Sequence, residues 1–462
     1  MKRIIFCGFR GTGKTEIGKI VAEQSGLPFL DTDTLIEQQT GRSIPDIFHE
    51  DGEERFREEE RKVIMGLQKS DVVISTGGGV VTDPVNMEHL RRDSIVVVLH
   101  ADIDTIEKRL IKKPRPPLTG LPLRQEIATM MDRRRQHYQA AADFCIDTSE
   151  TTPKTAAAGV MDLVRHGNIP VKNRVPCTAF FKSGRIPEKC MDPLLKILSD
   201  NPPDPLTRLI GVAGYPCAHS KGPRLFNALF GHYGLNYHYT LFEDPELDEI
   251  LSVARHLDVK GLSVTIPFKQ EIIPFIDEVD EHAAQQIGAV NTVVFACGTA
   301  RGYNTDWIGV RKPLVDLKGS KAVLLGAGGA AAGAAFALTD LEMDLTILNR
   351  TPAKAKVLAE RFGCRWGELS DFDTIHPDVV VNSTPLGMKP DDRMPVREDQ
   401  LHSGMTVFDL VYTPPVTPLI EAARRVGCST ITGTEMFIGQ AREQFYLFFG
   451  IDVPAEKIRE IL

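Results

Sequence analysis

The sequence predicts an α/β protein with parallel sheets, organised as three folding units in series. Short β-branched runs alternate with amphipathic, charged stretches along most of the chain, a pattern typical of strand–helix–strand units. The length of 462 residues agrees with two to four domains at roughly 100–200 residues each. The alternation fails between residues 167 and 207, where prolines are frequent, so we interpret that stretch as an interdomain segment without assigning it a role.

Composition limits the classes of function. The chain has 54 Lys and Arg against 62 Asp and Glu, and the net charge of −8 argues against nucleic acid as the main partner while leaving small anionic substrates open. No apolar run approaches the roughly 18 residues of a membrane span, and the first residues lack a signal-like stretch. We therefore expect no membrane partner and a cytoplasmic protein. Eight cysteines without C-x-x-C spacing predict neither a zinc site nor disulfides.

The first unit, residues 1–166, alternates buried strands with amphipathic helices. Its predicted strands are residues 3–7, 71–75 and 95–100, and its predicted helices are residues 16–24, 56–67 and 124–142. Because parallel strands need helical connections, this order predicts one parallel sheet covered by helices.

The rest of the chain repeats this alternation twice. The predicted strands are residues 209–215, 261–267 and 289–296 in a unit of residues 208–310, and residues 321–325, 344–350 and 378–385 in a unit of residues 311–430. The last segment, residues 431–462, is predicted to be helical because its apolar residues recur three and four apart.

A phosphate-binding loop follows the first strand. The run from Gly8 to Thr15 matches G-x-x-x-x-G-K-[ST] between a strand and a helix, as that motif requires. Gly8, Gly11 and Gly13 let backbone N–H groups face phosphates, Lys14 reaches the β and γ oxygens, and the Thr15 hydroxyl binds Mg²⁺. The loop therefore predicts ATP and Mg²⁺; a glycine-rich turn that only caps a helix is the alternative.

Further motifs in the first unit suggest the phosphate acceptor. The stretches LDTDTLIEQQTGRSIPDIF, FREEE and STGGGVV resemble shikimate kinase, over essentially all of the first 165 residues. The resemblance implies that Asp31 holds Mg²⁺ through water and that Asp33 binds the ring hydroxyls and is the candidate proton acceptor, with Lys14 as the second catalytic residue. It also implies substrate-binding and lid residues, namely Arg57 and Arg134 on the carboxylate, Gly77, Gly78 and Gly79 against the ring, and Arg115 in the lid over ATP.

Each of these residues has a structural alternative. An isolated arginine is more often a solvated surface charge, and Asp31 or Asp33 could serve only as an N-cap before LIEQQ. The chemistry nevertheless needs this set, since phosphoryl transfer requires cations on the phosphate and a carboxylate near the acceptor hydroxyl. Arginine forks are also the best partners for a planar carboxylate.

The later part of the chain contains a second series of motifs. GYPCAHSKGP, GLSVTIPFK, AVNTV, GYNTDWIGV, GAGGAAAG, NRTPAKA, NSTPLGM, DLVYTPPVTPL and GTEMFIGQA occur in the order that resembles shikimate dehydrogenase, over some 250 residues. The resemblance implies that Lys269 and Asp306 form the catalytic pair. It also implies residues that hold the substrate hydroxyls and carboxylate, namely Ser220, Thr265, Asn291, Tyr412 and Gln440, and places residues 431–462 back on the substrate domain.

Proton balance supports the pair independently. Hydride addition to a carbonyl leaves an alkoxide, so the site needs a proton donor, and a lysine beside a carboxylate can supply the proton. Taken alone, Lys269 would more often be a surface residue, and Asp306 could be only a helix N-cap.

A dinucleotide-binding turn is predicted after the strand at residues 321–325. Gly326, Gly328 and Ala331 have the G-x-G-x-x-A spacing, and Gly329 and Ala330 complete the turn into an alanine-rich helix. The next strand ends in Asn349, Arg350 and Thr351, with Lys354 after them, where an acidic residue would bind the ribose hydroxyls of NAD. Cations at this place suit a 2′-phosphate, so the sequence favours NADP(H).

One position departs from the family pattern. The family usually has H-S-x-S-P facing the substrate carboxylate, whereas this chain has Gly222 in place of the second serine. The missing hydroxyl leaves shikimate and the bulkier quinate open as substrates, with Gly222 still a substrate-site position.

Together the two resemblances imply a bifunctional enzyme that reduces 3-dehydroshikimate with NADPH and phosphorylates shikimate with ATP and Mg²⁺. The alternatives are a quinate/shikimate dehydrogenase joined to the kinase, or a sensor in which one domain has lost turnover. Because the two sets of motifs never interleave, we expect separable activities.

Overall fold

A computed structural model of the chain describes residues 3–67, 71–113, 117–166, 208–296, 298–389 and 393–462. These residues form three sheets flanked by helices, which confirms the predicted α/β class. The predicted interdomain segment, residues 167–207, and the lid residue Arg115 lie outside the described residues.

The first sheet has five parallel strands in the order β2-β3-β1-β4-β5. Its strands are β1 (Arg3–Gly8), β2 (Phe29–Asp31), β3 (Val73–Ser75), β4 (Ser94–His100) and β5 (Phe144–Asp147). Its helices are α1 (Lys14–Ser25), α2 (Thr32–Thr40), α3 (Ile44–Gly66), α4 (Pro84–Arg91), α5 (Ile103–Lys112), α6 (Leu123–Ala141) and α7 (Pro153–His166). All of β1 is buried because helices cover both faces of the sheet. The three predicted strands and three predicted helices are confirmed, whereas the short β2 and β5 were not predicted.

The second sheet is mixed, in the order β7-β6-β8-β10-β11-β9. Its strands are β6 (Arg208–Gly214), β7 (Tyr237–Glu243), β8 (Gly261–Val264), β9 (Glu278–Val279), β10 (Thr292–Ala296) and β11 (Thr299–Tyr303). Its helices are α8 (Gly222–Tyr233), α9 (Leu247–His256), α10 (Ala284–Ile287) and α11 (Asp306–Arg311). Strand β10 runs antiparallel to β8 and β11, which the alternation of elements did not predict.

The third sheet is parallel throughout, in the order β14-β13-β12-β15-β16-β17. Its strands are β12 (Lys321–Leu325), β13 (Asp344–Leu348), β14 (Arg365–Gly367), β15 (Val379–Asn382), β16 (Thr406–Asp409) and β17 (Ser429–Ile431). Its helices are α12 (Gly329–Asp340), α13 (Pro352–Phe362), α14 (Phe372–Ile375) and α15 (Pro418–Val426), and α16 (Gly433–Phe449) and α17 (Ala455–Ile461) follow. This is the doubly wound order, which binds ligands where the strand order reverses, beside β12 and β15.

The first and second sheets belong to units that pack on each other. Helix α6 contacts α16 and β10 across this boundary. Buried polar groups also meet there: the Tyr237 hydroxyl donates to Asp143 Oδ1 at 2.6 Å, and Arg208 donates to the Asp143 carbonyl. The sequence, which predicted separable halves, gave no sign of this interface.

Two further findings concern membranes and cysteines. None of the helices in the described ranges has the length and apolar character needed to cross a bilayer. Cys145 is disulfide-bonded, so the expectation of a chain without disulfides is wrong at that residue.

Candidate active sites

The phosphate-binding loop joins β1 to α1, as predicted. Gly8, Gly11 and Gly13 all have positive φ, at +139°, +85° and +95°. A Cβ at Gly8 would lie 2.3 Å from the Leu99 carbonyl oxygen, so glycine is required there on steric grounds as well. Helix α1 begins at Lys14, whose Nζ donates to the Gly8 carbonyl at 2.7 Å. The loop thus combines a helix start, backbone N–H groups and a lysine.

Three oxygen-bearing side chains meet beside this loop. The Thr15 hydroxyl donates to Asp31 Oδ2 at 2.9 Å and lies 3.5 Å from the Ser75 hydroxyl. Asp31 Oδ1 accepts the N–H groups of Asp33 and Thr34, so the N-cap role is real and coexists with the contact to Thr15. Hard oxygen ligands of this kind fit Mg²⁺, which usually completes its shell with water and phosphate. Ser75, the last residue of β3, was not predicted.

A carboxylate pair flanks the first glycine of the glycine turn, residues 77–79. A Cβ at Gly77 would lie 2.9 Å from Asp33 Oδ1 and 3.0 Å from Glu60 Oε1. Glu60 is fully buried, its Oε1 has no hydrogen-bond partner among the described residues, and burial raises its pKa. Sequence reasoning missed Glu60 because it is one of three consecutive glutamates; its spacing of three from Arg57 was the available signal.

Both predicted arginines converge on the glycine turn. Arg57 donates to Glu60 Oε2 at 2.7 Å, and a Cβ at Gly79 would lie 2.3 Å from its Nη2, so a larger residue there would require the guanidinium to move. Burial would lower the pKa of Arg57, but its acidic partners prevail and raise it. Arg134 donates to the Gly78 carbonyl at 3.1 Å. Because each arginine has a partner within the protein, neither is a solvated surface charge.

Two α6 residues that were not predicted support this pocket. The Tyr138 hydroxyl donates to the Gly78 carbonyl at 2.6 Å, and burial raises its pKa to about 12, which keeps the proton in place. Buried Glu126 pairs with Arg10 of the phosphate loop and accepts the N–H groups of Leu118 and Thr119 at 2.7 Å. Glu126 thereby ties the phosphate loop to the chain that follows residues 114–116.

A second candidate site lies between the second and third sheets. Lys269 Nζ donates to Asp306 Oδ2 at 2.5 Å, and Asn291 Nδ2 donates to Asp306 Oδ1 at 2.8 Å. Asp306 is 7% exposed and Lys269 22%, so the lysine is the more accessible partner. Thr305, not Asp306, is the N-cap residue of α11, and the carboxylate is left to serve the lysine.

A hydrogen-bond chain orients Asn291. Its Oδ1 accepts the Thr305 N–H and the Thr292 hydroxyl, each at 2.8 Å. Gln444 of α16, which is buried, donates to the Thr292 hydroxyl at 2.9 Å. Gln444 was not predicted: the resemblance placed residues 431–462 back on the substrate domain, but the helical pattern did not show which polar side chain of α16 would meet β10.

The remaining predicted substrate residues come from separate elements. Helices α11 and α16 approach closely, since a Cβ at Gly439 would lie 2.7 Å from Gly309 Cα, and Gln440 follows on α16. Thr265 follows β8, and its N–H donates to the Ala213 carbonyl at 2.9 Å. No hydrogen bond among the described residues joins Thr265 or Gln440 to Lys269 or Asp306.

Tyr412 and Ser220 border the same cleft. Lys221 Nζ lies 5.7 Å from the centroid of the Tyr412 ring, and burial with the charge of Asp306 raises the pKa of Tyr412. The Ser220 hydroxyl accepts the Gly222 N–H at 3.1 Å. The space beside Gly222 is occupied: a Cβ there would lie 2.9 to 3.1 Å from ring and hydroxyl atoms of Tyr239.

The turn after β12 has the geometry of a dinucleotide site. Gly326 has φ +110°, and a Cβ there would lie 2.7 Å from the Ser383 hydroxyl. Space is open around Gly328 and Gly329, where α12 begins at the switch point of the sheet. A pyrophosphate can approach the backbone closely only where the turn has no side chains and open space beside it, so these glycines fit a dinucleotide.

The residues after β13 face solvent. Arg350, Thr351 and Lys354 are exposed, and Asn349 Nδ2 donates to the Thr351 carbonyl at 3.0 Å, shaping the turn. These two cations are therefore accessible, and a 2′-phosphate bound at this turn would suit them.

Comparison with known proteins gives family matches over both parts of the chain. Residues 212–293 match the shikimate dehydrogenase substrate binding domain, residues 310–431 the shikimate / quinate 5-dehydrogenase family, and residues 433–462 the shikimate 5′-dehydrogenase C-terminal domain. The NADP(+) shikimate dehydrogenase of Methanothermobacter thermautotrophicus is 39% identical over 274 residues, which cover 55% of this chain and 96% of that relative. The chain belongs to the shikimate dehydrogenase family. Residues 10–165 match the shikimate kinase family, so a shikimate kinase domain precedes the dehydrogenase.

Solved shikimate dehydrogenases share the fold of the later part. One crystallised with NADP+ is 38% identical, with a TM-score of 0.53 over 55% of this chain and 94% of that chain. A quinate dehydrogenase from Corynebacterium glutamicum in complex with NAD is 32% identical, with a TM-score of 0.52 over 55% of this chain and 98% of that chain. Both predicted families are therefore confirmed.

Proposed function

We propose that the dehydrogenase domains reduce 3-dehydroshikimate to shikimate with NADPH and that the kinase domain phosphorylates shikimate with ATP and Mg²⁺. The observation that supports this most is the Lys269–Asp306 contact, present in the same chain as a phosphate loop and a carboxylate pocket. The product of one reaction is the substrate of the other, which makes the fusion chemically coherent.

In the dehydrogenase, the chain's own residues manage the proton. NADPH supplies the hydride to the carbonyl carbon when bound. Lys269 Nζ gives a proton to the carbonyl oxygen as the alkoxide forms, and Asp306 Oδ2 keeps the ammonium oriented at 2.5 Å. Asn291 holds the second oxygen of Asp306, so the carboxylate stays directed at the lysine.

In the kinase, Asp33 orients the acceptor hydroxyl and takes its proton. Arg57 and Arg134 bind the shikimate carboxylate, and the glycine turn, residues 77–79, admits the ring. Lys14 neutralises the transferred phosphoryl group, with Thr15 and Asp31 holding Mg²⁺ directly or through water. ATP supplies the phosphoryl group when bound.

A second candidate substrate is quinate. The similarity to a quinate dehydrogenase and the glycine at position 222 favour it, whereas the tight packing of Gly222 on Tyr239 opposes the extra space that quinate needs. A sensor with one inactive domain would lack turnover at one site, although the catalytic side chains of both are present.

The test uses the full chain and two assays. Shikimate with NADP⁺ should give NADPH, and shikimate with ATP and Mg²⁺ should give ADP; Lys14→Met should abolish ADP release and leave NADPH formation unchanged. Loss of both activities in Lys14→Met, or a wild-type chain that lacks either one, would overturn the proposal. Faster turnover of quinate than of shikimate would favour the second candidate.

A further inference from the structure

The kinase helix α6 holds the substrate pocket from one side. Arg134 and Tyr138 on this helix both donate to the Gly78 carbonyl, at 3.1 and 2.6 Å. Any movement of the last turns of α6 therefore moves the contacts to the glycine turn.

The end of α6 is buried, and its carbonyl groups need donors from outside the helix. The Tyr138 carbonyl accepts the Ala142 N–H, but the carbonyls of Gln139, Ala140, Ala141 and Ala142 have no such continuation. Within the kinase domain, Arg91 donates to the carbonyls of Ala140 and Ala141.

The other two carbonyls are satisfied by the dehydrogenase. Lys260 Nζ donates to the Gln139 carbonyl at 2.7 Å and to the Ala142 carbonyl at 2.5 Å. Lys260 is fully buried. We propose that Lys260, a dehydrogenase residue, is a positioning residue for the shikimate site of the kinase; the inference rests on the proposed function.

Lys260 is fixed by its own domain. It directly precedes β8, its N–H donates to the Leu209 carbonyl, and its carbonyl accepts the Phe295 N–H, both at 2.9 Å. Its backbone is therefore bonded to the chain on both sides, and its side chain extends from a rigid element.

Other side-chain contacts join the two domains around Lys260. Asp143 Oδ1 accepts the Tyr237 hydroxyl at 2.6 Å and Arg91 Nη2 at 2.9 Å, and Arg91 lies 5.3 Å from the Phe449 ring centroid. On α6 itself, Arg135 pairs with Glu278 of the dehydrogenase at 2.7 Å. The end of α6 is thus held from two sides by the second domain.

The effect should appear in substrate binding by the kinase. Arg134 and Tyr138 lie within about one and a half turns of the Gln139 contact and within about two turns of the Ala142 contact, at 3.6 residues per turn. The substrate carboxylate, which the proposed function assigns to Arg134 and Arg57, is remote from the reacting hydroxyl, so ground-state and transition-state binding weaken together. We expect a higher KM for shikimate in the kinase reaction, with kcat and the KM for ATP little changed.

The test compares Lys260→Met with Lys318→Met in the full chain. Lys318 is an exposed lysine of the dehydrogenase whose Nζ lies 3.0 Å from Glu342. Lys260→Met should raise the kinase KM for shikimate about 3- to 10-fold, with kcat and the KM for ATP within about twofold, whereas Lys318→Met should change none of them. Lys260→Arg, which keeps N–H donors, should recover part of the loss. A KM for shikimate equal to wild type in a folded Lys260→Met, or a loss confined to kcat, would overturn the proposal.

Two further measurements make the test independent of folding and of substrate identity. If Lys260→Met does not fold, the variant Arg135→Met replaces it, because Arg135 also joins α6 to the dehydrogenase through an exposed ion pair. Arg135→Met should raise the kinase KM for shikimate as well. An unchanged KM would overturn the proposal. Amide hydrogen exchange of α6 needs no substrate. Faster exchange at its last turn in Lys260→Met supports the positioning role even if the wild-type kinase acts on another acid, and unchanged exchange overturns it.

Discussion

Lys269 and Asp306 are 37 residues apart in the sequence, yet Lys269 Nζ lies 2.5 Å from Asp306 Oδ2. The lysine follows β8 of the substrate domain, and the aspartate opens α11, the helix that leads toward the cofactor domain. The contact therefore lies at the junction of these elements, where the proposed function requires substrate and nicotinamide to meet.

The first prediction concerns this pair. Lys269→Met should lower kcat for NADP⁺ reduction with shikimate by about 10²- to 10⁴-fold, because the group that takes the hydroxyl proton in this direction, and returns it in the reduction, is lost. Asp306→Asn keeps the shape of the side chain and should lower kcat as well. The kinase activity of the same purified chains is the control and should stay at the wild-type value. More than a tenth of the wild-type kcat in Lys269→Met would exclude this lysine as the proton donor.

The second prediction concerns cofactor choice. Arg350→Asp should weaken NADP⁺ and help NAD⁺ relatively, since a charge-assisted contact contributes about 1.5–3 kcal/mol, or roughly 10- to 100-fold in kcat/KM. The matched control is Lys356→Asp on the following helix, α13, where Lys356 Nζ lies 5.9 Å from the centroid of the Trp366 ring. The measurement is kcat/KM for NADP⁺ and for NAD⁺ in wild type and in both variants, and the ratio of the two values is compared. An equal NADP:NAD ratio in wild type and Arg350→Asp would place the selectivity elsewhere.

The third prediction concerns Gly222, which is packed on a rigid ring. Tyr239 is 2% exposed and stacks on Phe226 at 4.6 Å, so it yields poorly to an added side chain. Gly222→Ala and Gly222→Ser should both lower stability, by about 1–3 kcal/mol as in other overpacked cores. Only the serine variant adds a hydroxyl near the substrate carboxylate, so only it should shift the shikimate:quinate ratio of kcat/KM toward shikimate. An equal shift in the alanine variant would show that packing, not the hydroxyl, sets the preference.

The fourth prediction is a pH dependence of stability at the domain interface. Burial, with the cations Arg91 and Arg208, holds the pKa of Lys260 well below its usual value, against the charges of Asp143 and Asp258. Between that lowered pKa and the unfolded value near 10.4, the folded chain binds fewer protons than the unfolded chain, so stability rises with pH.

Urea denaturation of wild type and Lys260→Met measures this effect. The midpoint for the wild-type chain should rise relative to that of the variant between about pH 8 and 10, because only the wild type has this lysine. Other lysines and tyrosines titrate equally in both chains and cancel. A difference in midpoint that stays constant or falls over this range would contradict the lowered pKa.

Local motifs made much of the fold and site predictable. The phosphate loop and the dinucleotide turn are set by residues within one strand–helix connection, so Gly8, Lys14 and Gly326 could be identified without tertiary information. The positive φ angles and close contacts of Gly8 and Gly326 explain why other residues would not serve at those two positions.

Residues that act through packing could not be predicted in this way. Glu60 and Gln444 belong to ordinary helical patterns, and only the packing of α3 on the glycine turn and of α16 on β10 gives them a role. Lys260 is a single charged residue between apolar ones, which the pattern alone assigns to a surface. Its buried position depends on contacts with the kinase domain, and for that reason the interface was not visible in the sequence.

The central claim is that one chain performs two consecutive reactions. The most direct measurement supplies the purified full chain with 3-dehydroshikimate, NADPH, ATP and Mg²⁺ and follows NADPH oxidation, ADP formation and the products by mass spectrometry. We predict shikimate 3-phosphate, with shikimate alone when ATP is omitted and neither product when NADPH is omitted. Oxidation of NADPH without a phosphorylated product in the complete mixture, or no consumption of 3-dehydroshikimate, would contradict the account.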